Sequence, residues 1–238
     1  MEQRLQFYAA QLQQGITDKQ ASILVVAGGK NDVMMLKLKG FTNAVISNIM
    51  PAADFDVAPY TYRQENATKL SFADNSFDYV IISAALHHLH SPHAGLLEVY
   101  RVARKGALVF EATDNVLMRT MIALGIAEEY ELSAVKRKQH QAGGINNTEV
   151  PNYVYRWTKR ELVKTLQSYA PHVKQKVIFA HGLTMPYGFE MSGKLHYKII
   201  YGLLKALLLL FPSQCNLFCA HIHKPQVPDD LQEWMVGR

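Results

Sequence analysis

The chain has 238 residues, 49% hydrophobic and 19% charged, with a formal net charge of +5. That composition excludes a disordered or fibrous chain and describes a globular protein able to bury a substantial core. The modest positive balance suits an anionic cofactor, an acidic acceptor or a membrane surface without choosing among them.

No Lys/Arg block interleaved with aromatic residues occurs. Lys136-Arg137-Lys138 reads as a solvated helix face, so nucleic acid is not expected as a partner. The only cysteines are Cys215 and Cys219. At that spacing in a strand they share one face, which suits neither a local disulfide nor a zinc knuckle and fits apolar strand residues in a reducing cytosol. Met1-Glu2-Gln3-Arg4 is followed by no apolar core, so no signal peptide is evident and a cytoplasmic setting is expected.

Residues 2–14 have helical composition and stop at Gly15, a C-cap residue. Ser22 to Ala27 is a buried strand that runs into Gly28-Gly29-Lys30-Asn31-Asp32. Val33, Met34, Leu36 and Leu38 then mark a helix closed by Gly40. Strand, glycine turn and helix together open a nucleotide-binding βαβ unit, in which glycine lets backbone approach a ligand and the helix start favours negative charge. Taken alone, two glycines are only a tight turn. Phe41–Asn48 and Pro59–Glu65 supply the second and third strands.

The most informative stretch is Phe72–Pro92. Asp74-Asn75-Ser76 is a turn cluster, and Tyr79–Ile82 is an apolar run of the kind buried on both faces of a parallel sheet. Small residues and then His87 and His88 follow, and in open α/β sheets ligands bind beyond the carboxyl ends of such strands. Ala94–Ala103 reads as an amphipathic helix, broken by Arg104-Lys105-Gly106 before a fifth strand at Ala107–Glu111.

The run "Phe, turn, Ser-Phe-Asp, apolar strand, Leu-His-His-Leu, x-Pro" closely resembles the fourth strand and following loop of class I S-adenosylmethionine-dependent methyltransferases. Glu98-x-x-Arg101-Val102, a basic-Gly pair and an apolar strand resemble the same family, so the likeness covers roughly residues 22–111. It implies an α/β, Rossmann-like sheet of seven mostly parallel strands, with helices on both faces, an antiparallel last strand and helical cap insertions. A single domain spanning 1–238 is expected, with its core at about 16–111 and 158–225, a cap insertion at about 112–157 and a helical insertion at about 192–212.

The resemblance also implies S-adenosyl-L-methionine as cofactor, held by Ala27, Gly28, Gly29, Asn48, Asn66, Ala67, Ser83 and Ala84. Several of these positions depart from the family pattern. Val25 replaces an acid, Ala27 and Asn31 replace glycines, and Asn48 stands where a carboxylate usually holds the ribose. An amide oxygen can still accept one hydroxyl hydrogen bond but cannot make two charge-assisted ones. Lys30 is expected to face solvent or the donor's carboxylate end.

Asn115–Gln139 looks helical, and Gly143–Trp157 forms a long loop dense in amides and aromatics. Asn147, Tyr153, Tyr155, Arg156 and Trp157 are the candidate acceptor-binding residues; packing of this segment on the core is the alternative. Thr158-Lys159-Arg160-Glu161 is a capping box for a helix over 159–169. Strands follow at Val173–Ala180 and, resembling the family's terminal strand, at Asn216–Pro225. The apolar Lys194–Phe211 segment is too short and too interrupted by Lys198 and Lys205 to span a bilayer. It reads as a core or homodimer helix, with peripheral membrane contact through 194–211 as the other use.

Methyl transfer by in-line displacement needs near-attack geometry and, for a hydroxyl acceptor, a base. His88, ahead of His87, is the candidate base for O-methylation of a small sugar, lipid-linked or phenolic acceptor; helix capping or packing is the bland alternative for both. His87, His88, His90 and His93 lack the helical i, i+4 arrangement with an added carboxylate, so no metal is expected. Two other classes compete: a nicotinamide-dependent oxidoreductase, and a non-catalytic scaffold whose cofactor loop has decayed.

Overall fold

A computed structural model describes residues 3–184, 195–225 and 230–235. Its sheet has seven strands in the order β3-β2-β1-β4-β5-β7-β6. These are β1 (Ile23–Val26), β2 (Ala44–Asn48), β3 (Thr61–Gln64), β4 (Phe77–Ser83), β5 (Ala103–Ala112), β6 (Lys176–Gly182) and β7 (Leu217–His223). The first five run parallel, and β7 is antiparallel to both of its neighbours, as expected.

Alternation along the central strands sorts the core onto the two faces of the sheet. Ile23 and Val25 pack with Leu12 of α1 (Gln3–Gly15) and with Met35 and Leu36 of α2 (Lys30–Leu38). Leu24 and Val26 face the other way, toward Leu96 and Val99 of α3 (Pro92–Val102) and Leu162 and Leu166 of α6 (Lys159–Tyr169). Burial of β1 and β4 on both faces explains their unbroken apolar sequences.

Helix starts are set by local chemistry. Ser91 Oγ accepts from Ala94 N–H ahead of Pro92, and Thr158 Oγ1 accepts from Glu161 N–H. Only half of the expected capping box forms, because the Glu161 carboxylate turns to Tyr155 Oη and His93 instead.

The Glu98–Arg101 pair has a structural role. The Arg101 guanidinium donates to Glu98, to Asp74 and to the carbonyls of Leu70 and Phe72, which staples the loop before β4 onto α3.

Several element boundaries differ from the sequence reading. Arg104-Lys105-Gly106 does not separate helix from strand, since β5 begins at Ala103 directly after α3. Gly106 is needed there because a Cβ would lie 2.5 Å from the Ile222 carbonyl oxygen. The expected helix over 115–139 is two short ones, α4 (Val116–Ala123) and α5 (Leu132–Arg137). They are divided by Gly125, whose φ of +69 lies in the left-handed region that favours glycine. Cys215 precedes β7, so it does not share a strand face with the buried Cys219. Part of the expected 192–212 insertion lies outside the described residues, and the rest is α7 (Leu195–Leu210).

Candidate active site at the carboxyl edge of the sheet

The ends of β1 and β4 meet at the carboxyl edge, where Ala27 and Ala84 hold left-handed backbone with φ of +52 and +49. Such strained non-glycine positions persist where the surroundings over-determine them, often beside functional clefts. The two glycines after β1 do different jobs. A Cβ at Gly28 would sit 2.8 Å from Ile46 Cγ2 and 2.9 Å from Val25 Cγ1, so this glycine serves sheet packing rather than ligand approach. A Cβ at Gly29 would meet only Asp32 Oδ2, at 3.9 Å. Gly29 therefore leaves open space at the start of α2, and Lys30 is exposed as expected.

Asp32, which sequence reasoning did not select, organises this turn. Its buried carboxylate accepts from Gly29 N–H at 2.8 Å and from Tyr8 Oη at 2.7 Å. Burial raises its pKa, against the lowering effect of these two hydrogen bonds and of Arg4. Arg4, Tyr8, Asp32, Ser83 and Phe110 line a cavity of about 190 Å³ beneath α1. A larger hollow of about 690 Å³ runs along the outer side of α6, is shallow, and does not lie over the strand ends.

Asn48 and Asn66, both expected to help hold the cofactor, are partly committed. Asn48 Nδ2 donates to the Gly28 carbonyl at 3.0 Å and its Oδ1 accepts from Met50 N–H at 3.3 Å, leaving one lone pair of that oxygen. Asn66 Oδ1 accepts from both Thr68 N–H and Thr68 Oγ1. A local turn therefore already fills both lone pairs of this oxygen. Ala67 is buried against the α3 side of the core.

The histidine pair is built from β5. Glu111, fully buried, accepts from Ala85 N–H at 2.9 Å and Leu86 N–H at 2.7 Å, and its other oxygen meets His87 Nδ1 at 2.7 Å. Phe110 and Glu111 are neighbours in one strand, so their side chains leave opposite faces of the sheet. The cavity beneath α1 and the histidine pair therefore flank the same strand ends from two sides.

A second unpredicted residue, Glu131, reaches in from the cap. Its Oε2 lies 3.6 Å from His87 Nε2 and 3.4 Å from His88 Nε2. Burial alone would lower the His87 pKa, but Glu111 and Glu131 raise it to about 9. Burial and the neighbouring His87 lower that of His88. Burial would raise the Glu131 carboxyl, yet the two imidazoles hold it below its ordinary value. The reasoning that these histidines lack a carboxylate is corrected here: it comes from the cap, far away in the chain, and His87, His88 and Glu131 could together hold a metal ion.

The expected acceptor residues do not converge. Trp157 is fully buried in the core and offers no face for stacking. Tyr155 turns to Glu161 and His93. Tyr153 is exposed and packs edge-on against Tyr130. Arg156 donates to the Glu128 and Val154 carbonyls, bracing the cap, and Asn147 Nδ2 contacts Met50 Sδ at 3.0 Å.

This sheet order is a Rossmann-like fold, with an open glycine turn at the strand ends on one side and the histidine pair on the other. Residues 41–110 match the family model for the methyltransferase domain. A ubiquinone/menaquinone biosynthesis C-methyltransferase from Zymomonas mobilis is 32% identical over 97 residues, covering 37% of this chain and 40% of the relative. The chain thus aligns with well under two thirds of that relative's length. Among solved structures, a Pyrococcus horikoshii protein superposes with a TM-score of 0.55 at 14% identity, over 94% of this chain and 90% of its own. The magnesium protoporphyrin IX methyltransferase of Synechocystis PCC 6803, solved with bound S-adenosylhomocysteine, gives a TM-score of 0.52 at 11% identity, over 93% of this chain and 82% of its own.

Proposed function

We propose that the protein is an S-adenosylmethionine-dependent methyltransferase acting on a small sugar, lipid-linked or phenolic acceptor, by in-line displacement at an acceptor oxygen. The observation that carries this reading is the open backbone at Gly29 beside the cavity lined by Arg4, Tyr8, Asp32, Ser83 and Phe110. These residues fit the donor. Arg4 and the N-terminus of α2 suit its carboxylate, Gly29 permits close backbone approach, and the remaining lone pair of Asn48 Oδ1 can accept from one ribose hydroxyl. Bound there, the donor supplies a methyl group on a positively charged sulfur.

The chain's own residues do the rest. Glu111 pins the turn carrying His87 and His88, and His88 is the ring left to take the proton of an acceptor hydroxyl. Glu131 positions it from the cap, and the cap keeps water from the reacting atoms.

A second reading places the methyl on carbon, because the partly aligned Zymomonas mobilis relative is named a C-methyltransferase. Loss of a phenolic proton would activate a ring carbon by the same residues. A non-catalytic scaffold is favoured by the departures at Ala27, Asn31 and Asn48 and by the committed oxygen of Asn66. Within the proposal the protein is cytoplasmic. Exposed Ile199, Leu203, Leu207 and Leu210 on α7 form a face for a membrane surface or a second copy, and no described helix is long and apolar enough to cross a membrane.

Radiolabelled methyl transfer onto sugars, phenols and lipid-linked acceptors, with mass analysis of the product, tests the reading. Incorporation that falls in His88→Ala supports it. Full activity in both His87→Ala and His88→Ala removes the histidine base.

A further inference from the structure

We infer that His87, His88 and Glu131 form a binding site for a divalent transition-metal ion of the zinc type at the acceptor end of the crevice. The spacing is the first argument. Glu131 Oε2 stands 3.6 Å from His87 Nε2 and 3.4 Å from His88 Nε2, and all three donor atoms lie within 4.8 Å of one another. Those separations exceed the usual N–H···O length of about 2.9 Å. They match a tetrahedral ion, whose bonds of about 2.1 Å hold ligands about 3.4 Å apart.

Orientation is the second argument. Metal-binding histidines nearly always donate their other ring nitrogen to a carboxylate or backbone carbonyl, which fixes the tautomer. Glu111 takes His87 Nδ1 at 2.7 Å and so aims Nε2 at Glu131. The Gly144 carbonyl lies against the His88 ring. Asn152 supports the third ligand, with Nδ2 at 3.4 Å from Glu131 Oε2. Its Oδ1 is buried without a hydrogen-bond partner among the described residues.

Two imidazole nitrogens and one carboxylate oxygen suit zinc and its first-row neighbours better than magnesium or calcium. Three protein ligands leave a position for an acceptor oxygen, whose proton a bound cation makes more acidic. The inference rests on the methyl-transfer reading for the acceptor's place, and it moves acceptor ionisation from the free His88 ring to the cation.

The test uses the full chain, stripped with a chelator and titrated with Zn²⁺ in competition with a chromophoric chelator, then with Co²⁺ by visible absorption. The wild type is expected to take one equivalent and to give the strong visible bands of four- or five-coordinate Co²⁺. Glu111→Gln should weaken binding about 10–100-fold. His88→Ala and Glu131→Gln should weaken it further and abolish the bands, with folding checked by circular dichroism. Glu161→Gln, at the separate His93 pair, should change nothing. Equal uptake by the wild type and a His88→Ala/Glu131→Gln double variant overturns the site. Titrating the same stripped protein with S-adenosylhomocysteine separates the two readings. Donor binding without metal binding removes the cation alone, and metal binding without donor binding removes the methyl-transfer reading alone.

Discussion

Glu111 of β5 and His87 of the turn after β4 meet at 2.7 Å through Oε2 and Nδ1, while the other Glu111 oxygen accepts the Ala85 and Leu86 N–H groups. One buried carboxylate thereby fixes both the path of the chain after β4 and the aim of the imidazole. Removing one partner of a buried pair leaves the other uncompensated. Glu111→Ala should cost about 3–5 kcal/mol of stability. Glu111→Gln keeps a carbonyl oxygen for the two N–H groups and should cost less, about 1–3 kcal/mol. Urea denaturation of both variants checks the order. Equal midpoints for wild type and Glu111→Ala would show that the carboxylate does not hold this turn.

Gly28 and Gly29 should separate folding from donor binding. A methyl group at Gly28 collides with Ile46 and Val25 side chains in a packed interior, so Gly28→Ala should lose about 1–3 kcal/mol. Gly29 has extended backbone, with φ −133 and ψ −175, and room for a Cβ. Gly29→Ala should fold with near-native stability and bind S-adenosylhomocysteine at least about tenfold more weakly, since 1.4 kcal/mol of lost contact suffices. Thermal melts paired with calorimetric titration read the two effects apart.

Tyr8 reaches Asp32 from α1 and completes the turn that presents Gly29. Tyr8→Phe leaves the buried Asp32 oxygen without that donor, which should cost about 1–3 kcal/mol. Donor affinity should fall with it if α1 closes the cavity. A melt shift with unchanged donor affinity would restrict Tyr8 to folding.

His181 in β6 has both ring nitrogens buried without a hydrogen-bond partner among the described residues. Burial, helped by the Lys159 charge, lowers its pKa from 6.5 to about 4. Between those values the unfolded chain binds a proton that the folded chain refuses, so this histidine makes stability fall as pH drops from 6.5 toward about 4. Above that window both states are neutral there and the effect is absent. His181→Leu should flatten this part of the acid limb in denaturation curves taken across the window. An unchanged slope would assign the acid sensitivity elsewhere.

The sheet was legible because burial on both faces writes itself into short apolar runs such as Ile23–Val26 and Tyr79–Ile82. The site was legible only in part. Gly29, Asn48, Ser83 and the histidines lie beside motif-bearing strand ends and could be found locally. Asp32, Glu111 and Glu131 act through contacts 24 to 44 residues away in the chain, as the Tyr8–Asp32 and His87–Glu111 pairs (both 24 apart) and the His87–Glu131 pair show. A lone Glu inside the apolar run Ala107–Ala112 was the one available signal for Glu111, since an unpaired carboxylate is not buried there without a partner. The aromatics of 153–157 misled because composition does not say which way a ring turns. Trp157 went to the core, and Tyr155 to Glu161.

Whether the crevice holds a sulfonium donor is the point on which the functional reading turns. Calorimetric titration of the full chain with S-adenosylhomocysteine, with NAD as the control, measures it directly. The expected result is one site for S-adenosylhomocysteine, weakened in Gly29→Ala, and no heat from NAD. Absence of binding by folded wild-type protein, or binding that Gly29→Ala leaves untouched, would contradict it.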